Sequence, residues 1–183
     1  ANKPAVVVNV SGVNVKDFEV MPLAINEQGG VKASFLLIAR LLGDNGIREY
    51  MAAARSIKAQ YPEAEFHLVG WIDDNPSAIS QQELETWVND KIVNYWGKLS
   101  DVRPAITASS VYILPSYREG TPRTVLEAMA MGRAVITTDA PGCRETVSHG
   151  VNGYLVAVKS VDQVVQSMQY FIEDPKLMIS MGQ

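Results

Sequence analysis

Two short apolar runs, Val111-Tyr-Ile-Leu114 and Ala134-Val-Ile-Thr-Thr138, bracket a segment with its own helix-start signal, and this order narrows the fold more than any other feature. Each run is four or five residues of β-branched and aromatic character, the composition of a buried strand. Between them, Thr121 offers an N-cap hydroxyl and Pro122 suits the first helical position, where a missing N–H costs nothing. A helix over 122–131 is therefore expected. Strand, loop, helix and strand in succession make a βαβ unit, which needs a parallel sheet covered on both faces.

The rest of the chain repeats that alternation. Strands are expected at 5–10, 34–40, 65–69 and 92–96. A helix is expected from 46 to 61, where Ile47, Tyr50, Met51, Ala54 and Ile57 recur at helical spacing and Pro62 ends the run. Shorter helices fit 80–88 and 101–108, the second capped by Asp101. A polar loop spans 26–30, and Val151-Asn-Gly-Tyr154 reads as a hairpin-like turn. A final helix carries Val161, Val164, Val165, Met168 and Ile172 on one stripe. The expected fold is α/β, a Rossmann-like parallel sheet with helices on both faces, built as one domain over all 183 residues.

Charge and cysteine content exclude several roles. A net charge of −4 argues against a general nucleic-acid binder, and no run of residues reaches the length of a transmembrane helix. The one cysteine, Cys143, rules out an internal disulfide framework and fits a reducing compartment. No metal is expected: Asp73-Asp74-Asn75 reads as a polar loop, and His67, His149 and Cys143 lack ligand spacing. His67 alternates inside a strand and is expected to pack. Trp71, Trp87 and Trp96 are expected to pack as well, with Trp71, beside Gly70, the one placed to approach a ligand's base.

The chemistry concentrates in Glu119-Gly-Thr-Pro-Arg-Thr-Val-Leu-Glu127. Two carboxylates stand eight positions apart, and the helix that follows Gly120, Thr121 and Pro122 turns its free N–H groups back toward Glu119. A phosphate cradle beside two hydroxyl acceptors suits a sugar joined to a nucleoside diphosphate. A Glu before a turn is also a common solvated lead-in, and a Glu inside a helix is commonly a surface residue. The loop's place after the carboxyl end of a strand, where parallel sheets bind ligands, favours a site.

Three segments together, Pro115-Ser-Tyr-Arg-Glu-Gly-Thr-Pro-Arg-Thr-Val-Leu-Glu-Ala-Met-Ala-Met-Gly132, Pro141-Gly-Cys-Arg-Glu145 and Gly150-Val-Asn-Gly-Tyr-Leu155, resemble the C-terminal half of retaining GT-B glycosyltransferases of family 4. The resemblance implies two Rossmann-like domains facing across a cleft, of which this chain is the donor-binding half. Residues 1–25 would include the lead-in between domains, with 11–18 the connecting segment, and the amino-terminal acceptor domain would lie outside this sequence. It implies a nucleotide-sugar donor, most commonly UDP-linked, as substrate rather than cofactor. It also implies a glycan or lipid-linked acceptor held by the other domain, and a cytoplasmic enzyme with the inner membrane face as an option for the full-length protein.

The resemblance also implies roles. Glu119 would orient the donor sugar and Glu127 anchor the ribose, while Arg40 and the N–H groups near Gly120 to Arg123 stabilise the departing diphosphate without a metal. Gly70, Lys98 and Leu99 would border the base and ribose, and Glu145 would serve as a cap or a pairing group. In the family a Lys stands five residues after the Arg. Here that position is Asn45, which leaves the clamp one charge short unless Lys32 or Lys98 supplies it. Two alternatives stay open at this level: a non-catalytic nucleotide-sugar-binding module, and a nucleotide-sugar epimerase of similar architecture.

Overall fold

The computed structural model describes residues 12–183. Six strands, β1 (Ser34–Ile38), β2 (Glu65–Val69), β3 (Asn94–Gly97), β4 (Val111–Leu114), β5 (Ala134–Thr138) and β6 (Gly153–Val156), form one sheet in the order β3-β2-β1-β4-β5-β6. Every pairing is parallel. The order reverses between β1 and β4, so connections leave the sheet in opposite directions there and a crevice opens at the carboxyl ends of those two strands.

The sheet divides the core by alternation. Phe35 and Leu37 of β1 face a layer with the helices α1 (Ile47–Gln60), α2 (Gln81–Asn89), α5 (Val161–Glu173) and α6 (Lys176–Gly182). Leu36 and Ile38 face α3 (Arg103–Ala108) and α4 (Arg123–Ala130). The expected stripe of α1 is buried, with Ala53 added to it. Ser80 begins α2 with a capping box, its hydroxyl accepting from Glu83 N while the Glu83 carboxylate accepts from Ser80 N. Arg48 doubles that anchor by reaching Glu83 at 2.8 and 3.2 Å, which holds the Glu83 carboxyl down at about 2.

Several expectations are corrected at element ends. The strand expected at 5–10 lies outside the described residues. β1 stops at Ile38, and the backbone continues into a turn where Leu42 N and the Asn45 side chain both donate to Arg40 O at 2.8 Å. α4 starts at Arg123: extended Pro122 is its N-cap, no side chain caps it, and Thr121 lies outside the helix. α3 starts at Arg103, with Asp101 two residues upstream accepting from Arg103 N at 3.1 Å. β3 begins at Asn94, because Ile92 N closes the end of α2 by donating to Trp87 O at 3.0 Å. Val151 and Asn152 do lie in a turn, but it joins no hairpin: Gly153–Val156 is a strand parallel to β5.

Candidate donor site at the strand-order reversal

A cavity of about 250 Å³ opens at the carboxyl ends of β1 and β4, lined by Ile38, Ala39, Arg40, Asn45, Leu114, Glu119, Thr121, Pro122, Arg123 and Thr124. Six of the residues singled out in the sequence thus meet at the reversal point: Arg40, Asn45, Glu119, Thr121, Pro122 and Arg123. Larger hollows occur at the exposed edge of β3, about 630 Å³, and between the 20–25 segment and α6, about 520 Å³. A third, of about 670 Å³, is lined by Lys16, Asp17, Glu19, Asp101 and Arg103, but there Arg103 is spent on Asp101 at 2.8 Å. The smaller cavity is the candidate because it lies at the strand-order reversal, where parallel sheets bind ligands.

Glu119 is held rather than free. Ser116, fully buried just beyond β4, donates its hydroxyl to Glu119 Oε1 at 2.8 Å, and Glu119 N donates to Pro141 O at 3.1 Å. Ser116 is itself anchored, since its carbonyl accepts from Thr138 Oγ1 at 2.5 Å. Beneath the loop lies Gly142 with φ +84°; a Cβ there would stand 2.1 Å from the carbonyl oxygens of both Glu119 and Gly120. Tyr117 N donates to Asp44 O at 2.9 Å and ties this loop to the turn after β1. The Tyr117 hydroxyl bonds Glu49, and burial together with that carboxylate pushes the phenol up to about 12.

The floor is equally fixed. Tyr112 of β4 donates to Ile38 O at 3.0 Å and lies 2.6 Å from the Thr124 hydroxyl, which links β1, β4 and the first turn of α4. Burial pushes that phenol well up, so it stays a neutral donor. Ser116, Tyr112, Thr124 and Gly142 were not singled out from sequence. Ser116 stands three residues before Glu119, Thr124 falls inside the 119–127 stretch and Gly142 inside Pro141-Gly-Cys-Arg-Glu145, so Tyr112 is the one with no signal beyond its strand.

Arg40 leans on Asp73 at 3.3 Å with its side chain half exposed. Asp73 also accepts from Asn75 N, an Asx turn, so the 73–75 loop is a polar turn as expected; among the described residues no cluster of three or more metal-ligating side chains forms. Asn45 donates to Arg40 O and thereby fixes the turn that carries Arg40. Arg123, at the first position of α4, stands 3.4 Å from Glu127.

The remaining candidates lie off this cavity. Glu127 is 9% exposed, one turn below Arg123, and burial pushes its carboxyl up, with Arg123 opposing that shift. Gly120 is exposed at the loop tip. Gly70 follows β2, and a Cβ on it would meet Ala39 O at 1.9 Å, so it serves close approach of the two strand ends. Lys98 stacks its ammonium over Trp71, 4.5 Å from the ring centroid, and Leu99 packs against the α3 and α4 layer. Lys32 pairs with Glu65 at 2.5 Å at the amino ends of β1 and β2, the opposite end of the sheet. Glu145 is exposed and makes no hydrogen bond or ion pair among the described residues, so the capping or pairing role expected of it is not seen. His67 is buried and accepts from Trp96 Nε1 at 3.0 Å; His149 accepts from Leu155 N at 2.9 Å.

Comparison with known proteins gives the family and the fold. The family model described as glycosyl transferases group 1 matches residues 32–174, and the chain belongs to that family. It is 32% identical over 191 residues to the N,N'-diacetylbacillosaminyl-diphospho-undecaprenol alpha-1,3-N-acetylgalactosaminyltransferase of Campylobacter jejuni, covering 99% of this chain and 48% of that protein. The chain spans about half, or somewhat less, of the curated relatives it matches. Among solved structures it resembles the C-terminal domain of the group 1 glycosyl transferase LpcC from Francisella tularensis, with TM-score 0.77, 28% identity, and 94% and 93% of the two chains covered. HepE from Anabaena, solved in complex with UDP, shares the fold with TM-score 0.73 at 22% identity over 82% of this chain and 42% of that one. The fold is thus that of a GT-B glycosyltransferase C-terminal domain.

Proposed function

We propose that this chain is the donor half of a retaining glycosyltransferase, binding a nucleoside-diphosphate sugar at the β1/β4 crevice for transfer to a glycan or lipid-linked acceptor. The observation that carries the reading is the convergence of Arg40, Glu119 and the start of α4 on one cavity at the strand-order reversal. The cavity's 250 Å³ is less than a nucleotide sugar fills, which suits one wall of a cleft completed by an amino-terminal acceptor domain.

In this reading the diphosphate lies against Arg40 and the N–H groups from Gly120 to Arg123. Glu119, steadied by Ser116, accepts from hydroxyls of the donor sugar. Glu127 accepts from ribose hydroxyls, and the base lies toward Gly70, Lys98 and Leu99. The bond from the anomeric carbon to the phosphate oxygen breaks as the acceptor oxygen attacks from the same face. The departing phosphate oxygen takes the acceptor proton. Negative charge grows on the diphosphate, so fixed cations and helix N–H groups favour the transition state over the ground state, with no metal or cofactor needed. A UDP-linked donor is in keeping with the UDP held by the Anabaena protein. The name of the Campylobacter relative supports a lipid-linked acceptor as a class, which would bring the full-length enzyme to the inner membrane face. Among the described residues no helix is long and apolar enough to cross a membrane.

Calorimetry with UDP and UDP-sugars tests the reading. The isolated chain is expected to bind nucleoside diphosphate and to glycosylate no acceptor. Glu127→Ala should weaken UDP by roughly 1.5–3 kcal/mol, as for loss of a charged hydrogen-bond partner. Glu119→Ala should weaken the UDP-sugar while leaving UDP itself nearly untouched. A folded chain that ignores millimolar nucleoside diphosphate would overturn the assignment.

A further inference from the structure

Six arginines pair with carboxylates among the described residues, and four of those pairs close to 2.8 or 2.9 Å. The other two, Arg40–Asp73 at 3.3 Å and Arg123–Glu127 at 3.4 Å, are the two whose guanidinium groups line the cavity at the strand-order reversal. Neither is bidentate, and the Arg123–Glu127 contact does not reach hydrogen-bond geometry. The Arg123 side chain is 73% exposed, whereas that of Glu127 is 12% exposed. An exposed cation thus stands over a largely buried carboxylate, held by charge alone.

We infer that Arg123 is the second cation of an anion clamp with Arg40, releasing Glu127 to take phosphoryl oxygens of the bound diphosphate. This rests on the donor-site reading above and deepens it, because it assigns the side chain of Arg123 rather than its backbone. The other basic groups near the loop lie outside the cavity lining: Arg118 is exposed beside Glu119, and Lys159 stands over the Tyr117 ring at 4.9 Å. Lys32 pairs with Glu65 at the far end of the sheet, and Lys98 stacks on Trp71 outside the cavity. Asn45 carries no charge and commits its amide to Arg40 O.

The geometry gives the exchange a direction. A guanidinium presents five donors in a planar fork and binds phosphate through paired bonds, so two parallel bonds to a diphosphate replace one long contact to Glu127. Arg40 and Arg123 come from opposite sides of the reversal point, one after β1 and one at the start of α4, so they grip an anion between them. Release of Arg123 also uncovers the Glu127 carboxylate, whose burial makes it a strong acceptor for a ligand hydroxyl once its cation has moved. The two halves of the site are thereby coupled: phosphate engages Arg123, and Glu127 becomes free for the sugar ring of the nucleoside.

Calorimetry with three probes on the 183-residue chain separates the outcomes: uridine, UDP and inorganic pyrophosphate. Arg123→Gln should leave the thermal midpoint within about 2 °C, since the side chain is exposed. It should weaken both UDP and pyrophosphate roughly ten- to hundred-fold, the loss expected for a charge-assisted contact, and leave uridine unchanged. Glu127→Gln should tighten pyrophosphate roughly three-fold or more by removing the competitor for Arg123. In the Arg123→Gln background that gain should vanish, which distinguishes release of Arg123 from general loss of negative charge. Unchanged UDP and pyrophosphate affinity in Arg123→Gln would overturn the clamp and leave the donor-site reading standing. Pyrophosphate binding that depends on Arg123, with no further gain from UDP, would uphold the clamp and overturn the nucleotide reading. A chain that binds neither anion overturns both.

Discussion

Arg133 is 1% exposed and has no carboxylate partner among the described residues, yet it is among the largest fully buried side chains. Its guanidinium donates to five backbone carbonyls: Ile106 O at 3.1 Å, Met21 O at 2.6 Å, Met131 O at 2.9 Å, and Pro22 O and Thr107 O at 3.3 Å. Ile106 and Thr107 end α3 and Met131 ends α4, so the charge sits at two negative helix ends. Burial still lowers its pKa, to about 10, which leaves it ionised at neutral pH. Arg133→Met removes every donor and keeps an unbranched apolar stem. Ile106 O retains Ser109, and Met131 O retains Met21 N. Met21 and Pro22 are exposed and can turn to water. One part-buried carbonyl, Thr107 O, then loses its partner, at about 1–3 kcal/mol, and the two helix ends lose their cation, at about 0.3–1 kcal/mol each. Relief of the desolvated charge offsets part of this. The net expectation is about 2–4 kcal/mol, or roughly 5–15 °C in thermal midpoint for a chain of this size. Arg133→Lys should fare no better, because three donors cannot serve five acceptors and the charge stays buried. Circular-dichroism melts of both variants test this, with limited proteolysis reporting release of residues 12–25. A Lys variant as stable as the parent, or a Met variant with an unshifted midpoint, would refute the reasoning.

Two other expectations follow from the site loop and the far edge of the sheet. Gly142→Ala forces a methyl to within 2.1 Å of the Glu119 and Gly120 carbonyls at a φ of +84°, so the loop must shift. It should lose about 2 kcal/mol or more of stability together with most UDP-sugar binding, and a variant unchanged in melting and calorimetry would contradict the packing argument. For His67, burial lowers the folded-state pKa below 6.5, against the pull of Glu65 and with the push of Lys32. The unfolded chain then binds the proton more readily, so stability is highest above about pH 6.5 and falls as pH drops through the window beneath it. Protonation also removes the lone pair that accepts from Trp96 Nε1. The melting midpoint should therefore drop more steeply from pH 7 to 5 in the parent than in His67→Gln, with a change in tryptophan emission; parallel curves would count against it.

The sequence is most legible where an element is both apolar and punctuated. β2 lies between Pro62 and Gly70, and β4 and β5 flank the small-residue helix; all three occupy the residues their composition marks. β3 was drawn two residues early, because Ile92 and Val93 look like a strand start but are buried for another purpose, closing α2. β6 does not stand out in the sequence because Gly153-Tyr-Leu-Val156 follows directly on the turn at 150–152 and opens with a glycine. In the site, the residues contiguous with Glu119 were visible because one loop carries them. Gly142 stands in a quoted segment, but its role is not legible there, since that role is to admit the backbone of a loop 22 positions earlier in the chain. Contacts across loops leave no local periodicity.

Asn45 shows how one position can carry two consequences. As a sequence character it is a missing charge. In the fold its amide donates to the carbonyl of Arg40 at 2.8 Å, so the position sets the turn from which the remaining cation projects. The charge balance of the crevice belongs to the whole switch point. β1 contributes Arg40, the loop after β4 contributes Glu119, and α4 contributes Arg123, because strands that part in opposite directions leave their following segments facing one another. In such a crevice a cation can enter from either side without altering the fold. On the clamp proposed above, a lysine five residues after Arg40 and an arginine at the first turn of α4 would be two solutions to one electrostatic requirement, and only the second is present in this chain.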